Sequence, residues 1–443
     1  MISLLKRTRG GLTPDDRKSF ARTEPLWNAA VPSRCVVPLL QHVGNPAQPV
    51  VNVGDRVREG MLVGRASGAM SANVHAPLPG VISQQVSLTL EDGRSCAAYV
   101  IELSGEFDRL GKQLDPIDWE RKSARELLKT IRECGVVGMG GYGQPVDRKY
   151  SARRGSGVDH LIINGVENEP YVCADYRLMM EMTDGLLEGA RVAERILRPE
   201  RVTIAVQAQR TDVRSRLQRR VRERGLGFFV HSVPAKYPQG DEKLLTQAVT
   251  GREVPGGASP SDVGVIVSNV ATVYAIYEAV VYEKPVVERV ITVSGGAVRQ
   301  PANVKARIGT SVQELIAECG GLQSRPEKIV LGGPMMGHTI SDVTLPVTKR
   351  TTAILALTAE EIYNGPRTAC IRCGRCVRSC PVGLEPTTLY KMLDHGDQAA
   401  AVAAGLLDCI ECGCCGFTCP AHLPLVETLK RGKQALPRRK GTA

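Results

Sequence analysis

The chain has 443 residues, too many for one compact core, so its length predicts several domains. Apolar residues make up 43% and charged residues 23%, the balance of a folded protein, while aromatics at 4% leave little for stacking nucleic-acid bases. Lys and Arg outnumber Asp and Glu by 57 to 46, a net +11 that suits an acidic partner and does not call for nucleic acid.

No run of about 18 uncharged apolar residues exists, so no transmembrane segment is expected. The longest apolar stretch, 263–281, carries Ser268, Asn269, Tyr274, Tyr277 and Glu278 and reads as a strand followed by a helix. The opening MISLLKRTRG lacks the apolar stretch of a signal peptide, so a cytoplasmic location is expected.

Residues 1–33 form an N-terminal extension. Residues 34–105 read as all-β: VVPLLQHVG, QPVVNVGDRV, GMLVGRA and GVISQQVSLTL are short apolar runs between turn formers. A polar stretch, 104–118, leads into a domain spanning 117–285. There, helix-period and strand-period segments alternate: a helix over 120–134, strands at 159–164 and 202–207, and one helix over 174–198. A further helix starts at TDVRSRLQ, with Thr211 or Asp212 as its cap. Strands alternating with helices predict a parallel sheet covered on both faces. Residues 286–342 read as a small α+β module, 358–430 as helices with cysteine motifs, and 431–443 as a disordered basic tail.

Nine of the 14 cysteines lie between Cys370 and Cys419, a density that points to metal in a reducing compartment. Cys370, Cys373, Cys376 and Cys380 are followed by Pro381, and Cys409, Cys412, Cys415 and Cys419 by Pro420, with the same spacing twice. This is the ferredoxin run in which the fourth cysteine ligates the other cluster. One four-iron cluster is therefore expected on Cys370, Cys373, Cys376 and Cys419, the second on Cys409, Cys412, Cys415 and Cys380. Gly374 and Gly413 relieve strain in the loops, and the prolines are expected to start the next helices. Two zinc sites are the alternative, disfavoured by the third cysteine and the CP ending. Cys414 breaks the spacing and reads as a neighbour. Cys35, Cys96, Cys134, Cys173 and Cys319 read as buried apolar residues.

Gly138 to Gly143 matches G-x-G-x-x-G, yet a helix precedes it where a dinucleotide fingerprint needs a strand. A plain tight turn and a loop whose N–H groups and Lys149 approach a phosphorylated cofactor both remain open. Three more segments follow strands, where open α/β sheets bind ligands: 164–170, 237–243 and 268–272. Their carboxylates and amides suit a polar cofactor, and helix caps or solvated turns would use the same residues.

CIRCGRCVRSCPVGLEP, CIECGCCGFTCPAHLPLV, VVPLLQHVGNPAQPVVNVGDRV, NGVENEPYVCADYRLM, KYPQGDEKLL, SNVATVYAIYEAV and VLGGPMMG occur in one order. On these the chain resembles the RnfC family, a component of Rnf ion-translocating electron-transport complexes, over about 10–430. Its core is similar to the flavin-bearing, NADH-oxidising subunit of complex I. The resemblance implies a multidomain α/β chain: an N-terminal β barrel-sandwich, a Rossmann-like FMN domain with a parallel sheet, a β-grasp (SLBB-type) module and a C-terminal two-cluster ferredoxin domain. It places FMN contacts on Gly138, Gly140, Gly141, Lys149, Asn164, Glu167, Tyr237, Gly240, Asp241, Glu242 and Asn269. It further implies two [4Fe-4S] clusters and NADH as substrate. The implied partners are the other Rnf components, membrane-embedded ones and the ferredoxin-like RnfB, and ferredoxin or flavodoxin through the complex. The implied place is the cytoplasmic face of the bacterial inner membrane. The family's usual GGAGFPT reads here as Gly140 to Val146 with Tyr142 and Gln144, and its CEP as Asn168-Glu169-Pro170. The first region also resembles lipoyl and biotinyl carriers, with Ser71 where those carry a modified lysine; a docking scaffold is expected, with His75 packed in a turn.

The expected function is electron transfer between NADH, FMN and two clusters. A flavin and iron–sulfur relay without its own NADH oxidation, and a cobalamin reductase of shared architecture, are the alternatives.

Overall fold

The computed structural model describes residues 9–151, 157–363 and 365–436. In the N-terminal domain two small sheets face each other. One orders Arg34–Pro38, Ser95–Leu103, Gly80–Thr89 and Arg56–Val57 antiparallel; the other holds Gln48–Pro49, Leu62–Arg65 and Val74–His75. Alternating inward residues such as Val37, Val63, Ile82, Tyr99 and Ile101 fill the space between them. The Tyr99 hydroxyl donates to Val51 O at 2.6 Å, satisfying the one polar tip in that core. Ser71 is buried against His42 Nε2 at 3.2 Å, so the position used for a swinging arm in carriers faces inward. His75 is also buried, and burial pushes its imidazole down to about 3, keeping it neutral.

The central domain is a four-stranded parallel sheet in the spatial order Phe229–Val233, Arg201–Gln207, His160–Gly165, Val265–Asn269. The first strand in sequence, His160–Gly165, lies between the second and the fourth. The chain thus turns in opposite directions on either side of it, and the ends of His160–Gly165 and Val265–Asn269 form the switch point, the place of the ligand crevice in open α/β sheets. The expected helix over 174–198 is two helices, Ala174–Glu181 and Thr183–Leu197. They break at Met182, where the Thr183 hydroxyl bonds back to Met179 O at 2.7 Å, the kind of contact that bends helices. The helix Thr211–Glu223 uses neither expected cap; Arg210 precedes it and Asp212 accepts the Tyr176 hydroxyl at 2.6 Å instead.

A six-stranded sheet follows, ordered Trp27–Asn28, Ala302–Arg307, Glu288–Ser294, Ala353–Leu357, Lys328–Leu331 and His338–Ile340. Two of its strands come from outside residues 286–342. Ala353–Leu357, buried throughout, occupies a central place, and Trp27–Asn28 closes one edge. Lys349, buried just before the former strand, donates to Asn73 O and Gly135 O, both at 2.7 Å, and so fastens the first domain to the second.

A charged network crosses the same junction. Glu288 pairs with Lys284 at 2.5 Å and Lys305 at 2.7 Å, and Arg307 reaches the buried Glu59 of the first domain at 2.7 Å. Burial raises the Glu288 carboxyl, but Lys305, Lys284 and Arg307 outweigh it and hold it at about 2. A depressed carboxylate contributes stability above its unfolded value and loses it on acidification. Glu288 should therefore cost the fold stability as pH falls from about 4.5 towards about 2. Acid titration followed by circular dichroism should show a shallower loss in that window for Glu288→Gln than for the unmodified chain.

In the C-terminal domain each cysteine motif is repeated at an offset of 39 residues, Cys370 to Cys409 and onward. The backbone repeats with it. Arg372 and Glu411, Gly374 and Gly413, and Gly383 and His422 all take positive φ, and the Ser379 and Thr418 hydroxyls meet at 3.1 Å between the copies. Pro381 and Pro420 do not begin helices. The positive-φ turn at Gly383 and His422 intervenes, so Pro386–Asp394 and Leu425–Gln434 start later. The latter helix runs into the stretch expected to be a disordered tail, with Gly432 packed on Leu393; residues 437–443 lie outside the described residues.

The segment around Gly10 to Ala21 laces these parts together. Gly11 N donates to Ser379 O at 2.8 Å, Leu12 pairs with Tyr237, and Asn303 Nδ2 donates to Ala21 O at 2.8 Å.

Candidate functional site

The glycine loop lies over the crevice of the parallel sheet. It follows the helix Ala124–Glu133, is closed by a bridge between Val137 and Pro145, and runs into a short helix, Val146–Ser151, that carries Lys149. Four contacts hold it. Thr272 Oγ1 accepts from Met139 N at 2.9 Å, the Arg289 guanidinium donates to Met139 O at 3.1 Å, Arg350 Nε donates to Gly141 O at 3.2 Å, and Val43 N donates to Gly143 O at 3.0 Å. Gly141 has φ +104 with open space where a side chain would begin, so its backbone can be approached closely. Tyr142 at the tip is 72% exposed.

The expected contact residues converge on this crevice. A Cβ on Gly140 would stand 3.3 Å from Asn269 Cβ. Asn269 caps the helix Val270–Tyr282 through Ala271 N and donates to Asp175 Oδ2 at 2.5 Å. Asn164, its register partner on the neighbouring strand, donates to Gly240 O at 2.9 Å. Asp241 caps the helix Glu242–Thr250, and Lys149 Nζ pairs with Glu242. A phosphate at the loop would compete with Glu242 for that ammonium.

Two of the expected residues are engaged by the protein itself. Glu167 accepts Asp175 N at 2.8 Å at the start of the helix Ala174–Glu181, and burial pushes its carboxyl up. Tyr237 is 2% exposed, and its hydroxyl donates to Cys412 O at 2.6 Å. It therefore joins the crevice to the second cysteine loop rather than facing a ligand. Glu169 makes a parallel link: it accepts Met335 N at 3.0 Å, and the Met335 carbonyl lies 2.6 Å from where a Cβ of Gly413 would be.

Sequence reasoning missed Lys18 and Arg289. Lys18 Nζ donates to Glu167 O at 2.6 Å and Val172 O at 2.5 Å, bracing the loop from the N-terminal segment. Arg289 is buried, and burial lowers its guanidinium to about 10 while Asp175 opposes that shift. Neither has a local signal; each is one basic residue among many.

Gly240 lies closest of the site glycines to a neighbouring chain segment. A Cβ there would meet Val166 O at 2.5 Å. Gly240→Ala should cost about 1–3 kcal/mol and displace Asn164, read by thermal unfolding together with flavin retention.

None of the cysteines is in a disulfide. Cys380, Cys409, Cys412 and Cys415 line one cavity together with Cys414. Leu384 N donates to Cys380 Sγ at 3.3 Å and Glu411 N to Cys409 Sγ at 3.4 Å, and such amides favour thiolate sulfur. Cys376, Cys415 and Cys419 share a packed core with Leu425, and Thr368 N bonds Ala421 O at 3.1 Å, drawing the first loop to the end of the second motif. No three His, Cys, Asp or Glu among the described residues stand close enough to grip a single ion. A cubane is wider than an ion and is held at its corners, so this donor set of two thiol-rich loops with inward amides fits four-iron clusters.

Four family models match the chain in order. They are the RnfC barrel sandwich hybrid domain over 6–106, the Nuo51 FMN-binding domain over 131–278, the SLBB domain over 290–339 and a 4Fe-4S dicluster domain over 362–420. The C component of the proton-translocating ferredoxin:NAD(+) oxidoreductase complex of Clostridium ljungdahlii is 39% identical over 386 residues, 87% of this chain and 84% of that protein. The C component of the ion-translocating oxidoreductase complex of Rhodobacter capsulatus is 39% identical over 433 residues, 97% of this chain and 83% of that protein.

The chain belongs to the RnfC family.

The family's members vary in length: the corresponding ion-translocating oxidoreductase component of Pseudomonas aeruginosa is 36% identical over 98% of this chain, which spans 56% of that protein. In fold, the chain resembles part of the crystal structure of an NAD+-reducing [NiFe]-hydrogenase in the H2-reduced state, with TM-score 0.51 and 14% identity over 71% of this chain and 61% of that one. The family assignment brings with it an FMN-binding domain and a two-cluster [4Fe-4S] domain, and it removes zinc as the reading of the cysteines. No helix among the described residues is long and apolar enough to cross a membrane.

Proposed function

We propose that this RnfC-family protein exchanges electrons with NADH at an FMN seated in the crevice. Cys380, Cys409, Cys412 and Cys415 would hold one cluster and Cys370, Cys373, Cys376 and Cys419 the other, which would carry single electrons. FMN supplies the change from paired to single electrons. The chain's own residues bind and orient. Gly141 presents open backbone, Gly138 closes the turn of the loop on Gln144, Lys149 would be the cation for a phosphate, and Gly140, Asn164 and Asn269 would line the crevice. Arg289, Thr272 and Arg350 keep the loop from moving. The observation that carries this reading is the Tyr237 hydroxyl on Cys412 O, a direct contact between the crevice and the second cysteine loop. No acid–base pair is called for. The partners would be the other components of an Rnf complex, with ferredoxin or flavodoxin reached through it, and the place the cytoplasmic face of the inner membrane, held there peripherally.

The test is anaerobic reconstitution with FMN, iron and sulfide, followed by NADH–ferricyanide assay. Retention of FMN with both clusters and NADH-dependent ferricyanide reduction is expected; clusters that form while no FMN is held would overturn the reading. The relay without its own NADH oxidation is the second reading, motivated by Gln144 and by the exposed Tyr142 in the family's GGAGFPT position. Excess NADH added to the FMN-loaded chain separates the two, since bleaching of the flavin band excludes the relay.

A further inference from the structure

The glycine loop is held from two sides. Thr272 and Arg289 fix Met139 in its first half, from the central domain and the six-stranded sheet. The second half is held from the N-terminal domain. Val43 N donates to Gly143 O, and a Cβ on Gly143 would stand 2.9 Å from Arg350 Cδ and 3.2 Å from His42 Cα. Arg350 completes the hold. Its Nε donates to Gly141 O at 3.2 Å while a terminal nitrogen pairs with Asp92 at 2.9 Å.

Asp92 belongs to the N-terminal domain. It sits at the tip of the hairpin of Gly80–Thr89 and Ser95–Leu103, the longest strands among the described residues, and Leu40, Leu90 and Cys96 form a small core beneath that tip. Arg94 donates to the same carboxylate at 2.7 and 2.9 Å. Burial raises the Asp92 carboxyl, but Arg94 and Arg350 outweigh it and hold it well below the usual carboxylate range. A guanidinium offers separate donors in a rigid fork, so Arg350 serves a carboxylate and a carbonyl at once, which a single ammonium does less well. A peptide unit is planar, so while Gly141 O is held the unit joining Gly141 to Tyr142 cannot turn over. Released, Gly141 has φ +104 and open space on its side-chain face, and nothing steric would stop it.

We propose that Asp92 is a positioning residue for the flavin loop, acting through Arg350, so that the N-terminal domain sets the geometry of the site in the central one. The inference rests on the crevice being the FMN site.

The experiment uses the full chain with both clusters, its iron content measured first. Asp92→Asn keeps an acceptor for Arg94 N, which shapes the turn, and removes the charge. Release of FMN on dilution, followed by flavin fluorescence, should be about tenfold faster while iron content holds. Arg350→Gln should release FMN at least as fast, and the double variant no faster than Arg350→Gln alone. Hydrogen exchange in the flavin-free chain reads the loop by itself. The amides of Gly138 and Gly143, bonded to Gln144 O and Gly138 O, should exchange about tenfold faster in Asp92→Asn, while those of Ile162 and Ile204 in the sheet hold. Additive effects in the double variant, or loop exchange at the parent rate, would overturn the proposal. If Arg350→Gln does not fold, Arg350→Lys, which keeps the charge and loses the fork, takes its place in the cycle. A parent chain that holds no FMN, with a loop still loosened by Asp92→Asn, would instead strike the flavin reading and leave the hold of Asp92 on the loop standing.

Discussion

Cys415→Ala should lose about half of the chain's iron, whereas Cys414→Ala should keep all of it. The two thiols are neighbours, both buried and both on the wall of one cavity, so burial does not separate them. The repeat does. Cys415 matches Cys376, a residue of the x2 spacing, while Cys414 matches Arg375, which holds no thiol. A cubane takes one thiolate per iron, so the loss of Cys415 opens a corner and the loss of Cys414 removes only packing. Iron is bound by thiolate, so loading should release protons. Iron and acid-labile sulfide per chain, with low-temperature electron paramagnetic resonance after reduction, check the result. An equal fall in both variants would mean that the ligand set is misassigned.

Arg289→Met should cost about 3 kcal/mol or more, because buried carbonyls lose their donor at about 1–3 kcal/mol each. Arg289 donates to three carbonyls, those of Val290, Lys349 and Met139, and its charge faces the Asp175 carboxylate. Methionine fills the volume but leaves those acceptors bare, and Lys18 remains as the cation favouring the Asp175 carboxylate. Because Met139 belongs to the glycine loop, flavin retention should fall together with stability. Arg289→Lys keeps the charge and reaches fewer carbonyls, so it should recover part of the stability. Denaturant unfolding and flavin release on dilution measure the two effects; a methionine variant as stable as the parent would show that the guanidinium is not the brace of the loop.

The legible parts of this chain are those governed by local rules. The cysteine spacing stands for a loop geometry, and the structure repeats it down to the positive φ of Arg372 and Glu411. The alternation of strands and helices through 117–285 likewise follows from periodicity, and Asn164 and Asn269 emerge as register partners because both end parallel strands. The hidden parts depend on distant contacts. Ala353–Leu357 is a short apolar run with no period to mark it, and only its neighbours Glu288–Ser294 and Lys328–Leu331 make it a central strand. Lys18 and Arg289 look like surface cations until partners remote in sequence bury them. Tyr237 sits in a segment that follows a strand, which suggests a ligand contact, but side-chain direction there is set by the cysteine domain.

The lacing by Gly11, Leu12 and Lys18 has a bearing on how this chain is built in the cell. Gly11 is fastened to Ser379, far later in the sequence, with Tyr237 and Glu167 as stations between. Closing so long a span is slow and comes only after the intervening domains have formed. Until then the segment from Gly10 to Ala21 stays open to proteases, and a nascent polypeptide halted short of the first cysteine motif should be trimmed there while the longer one resists.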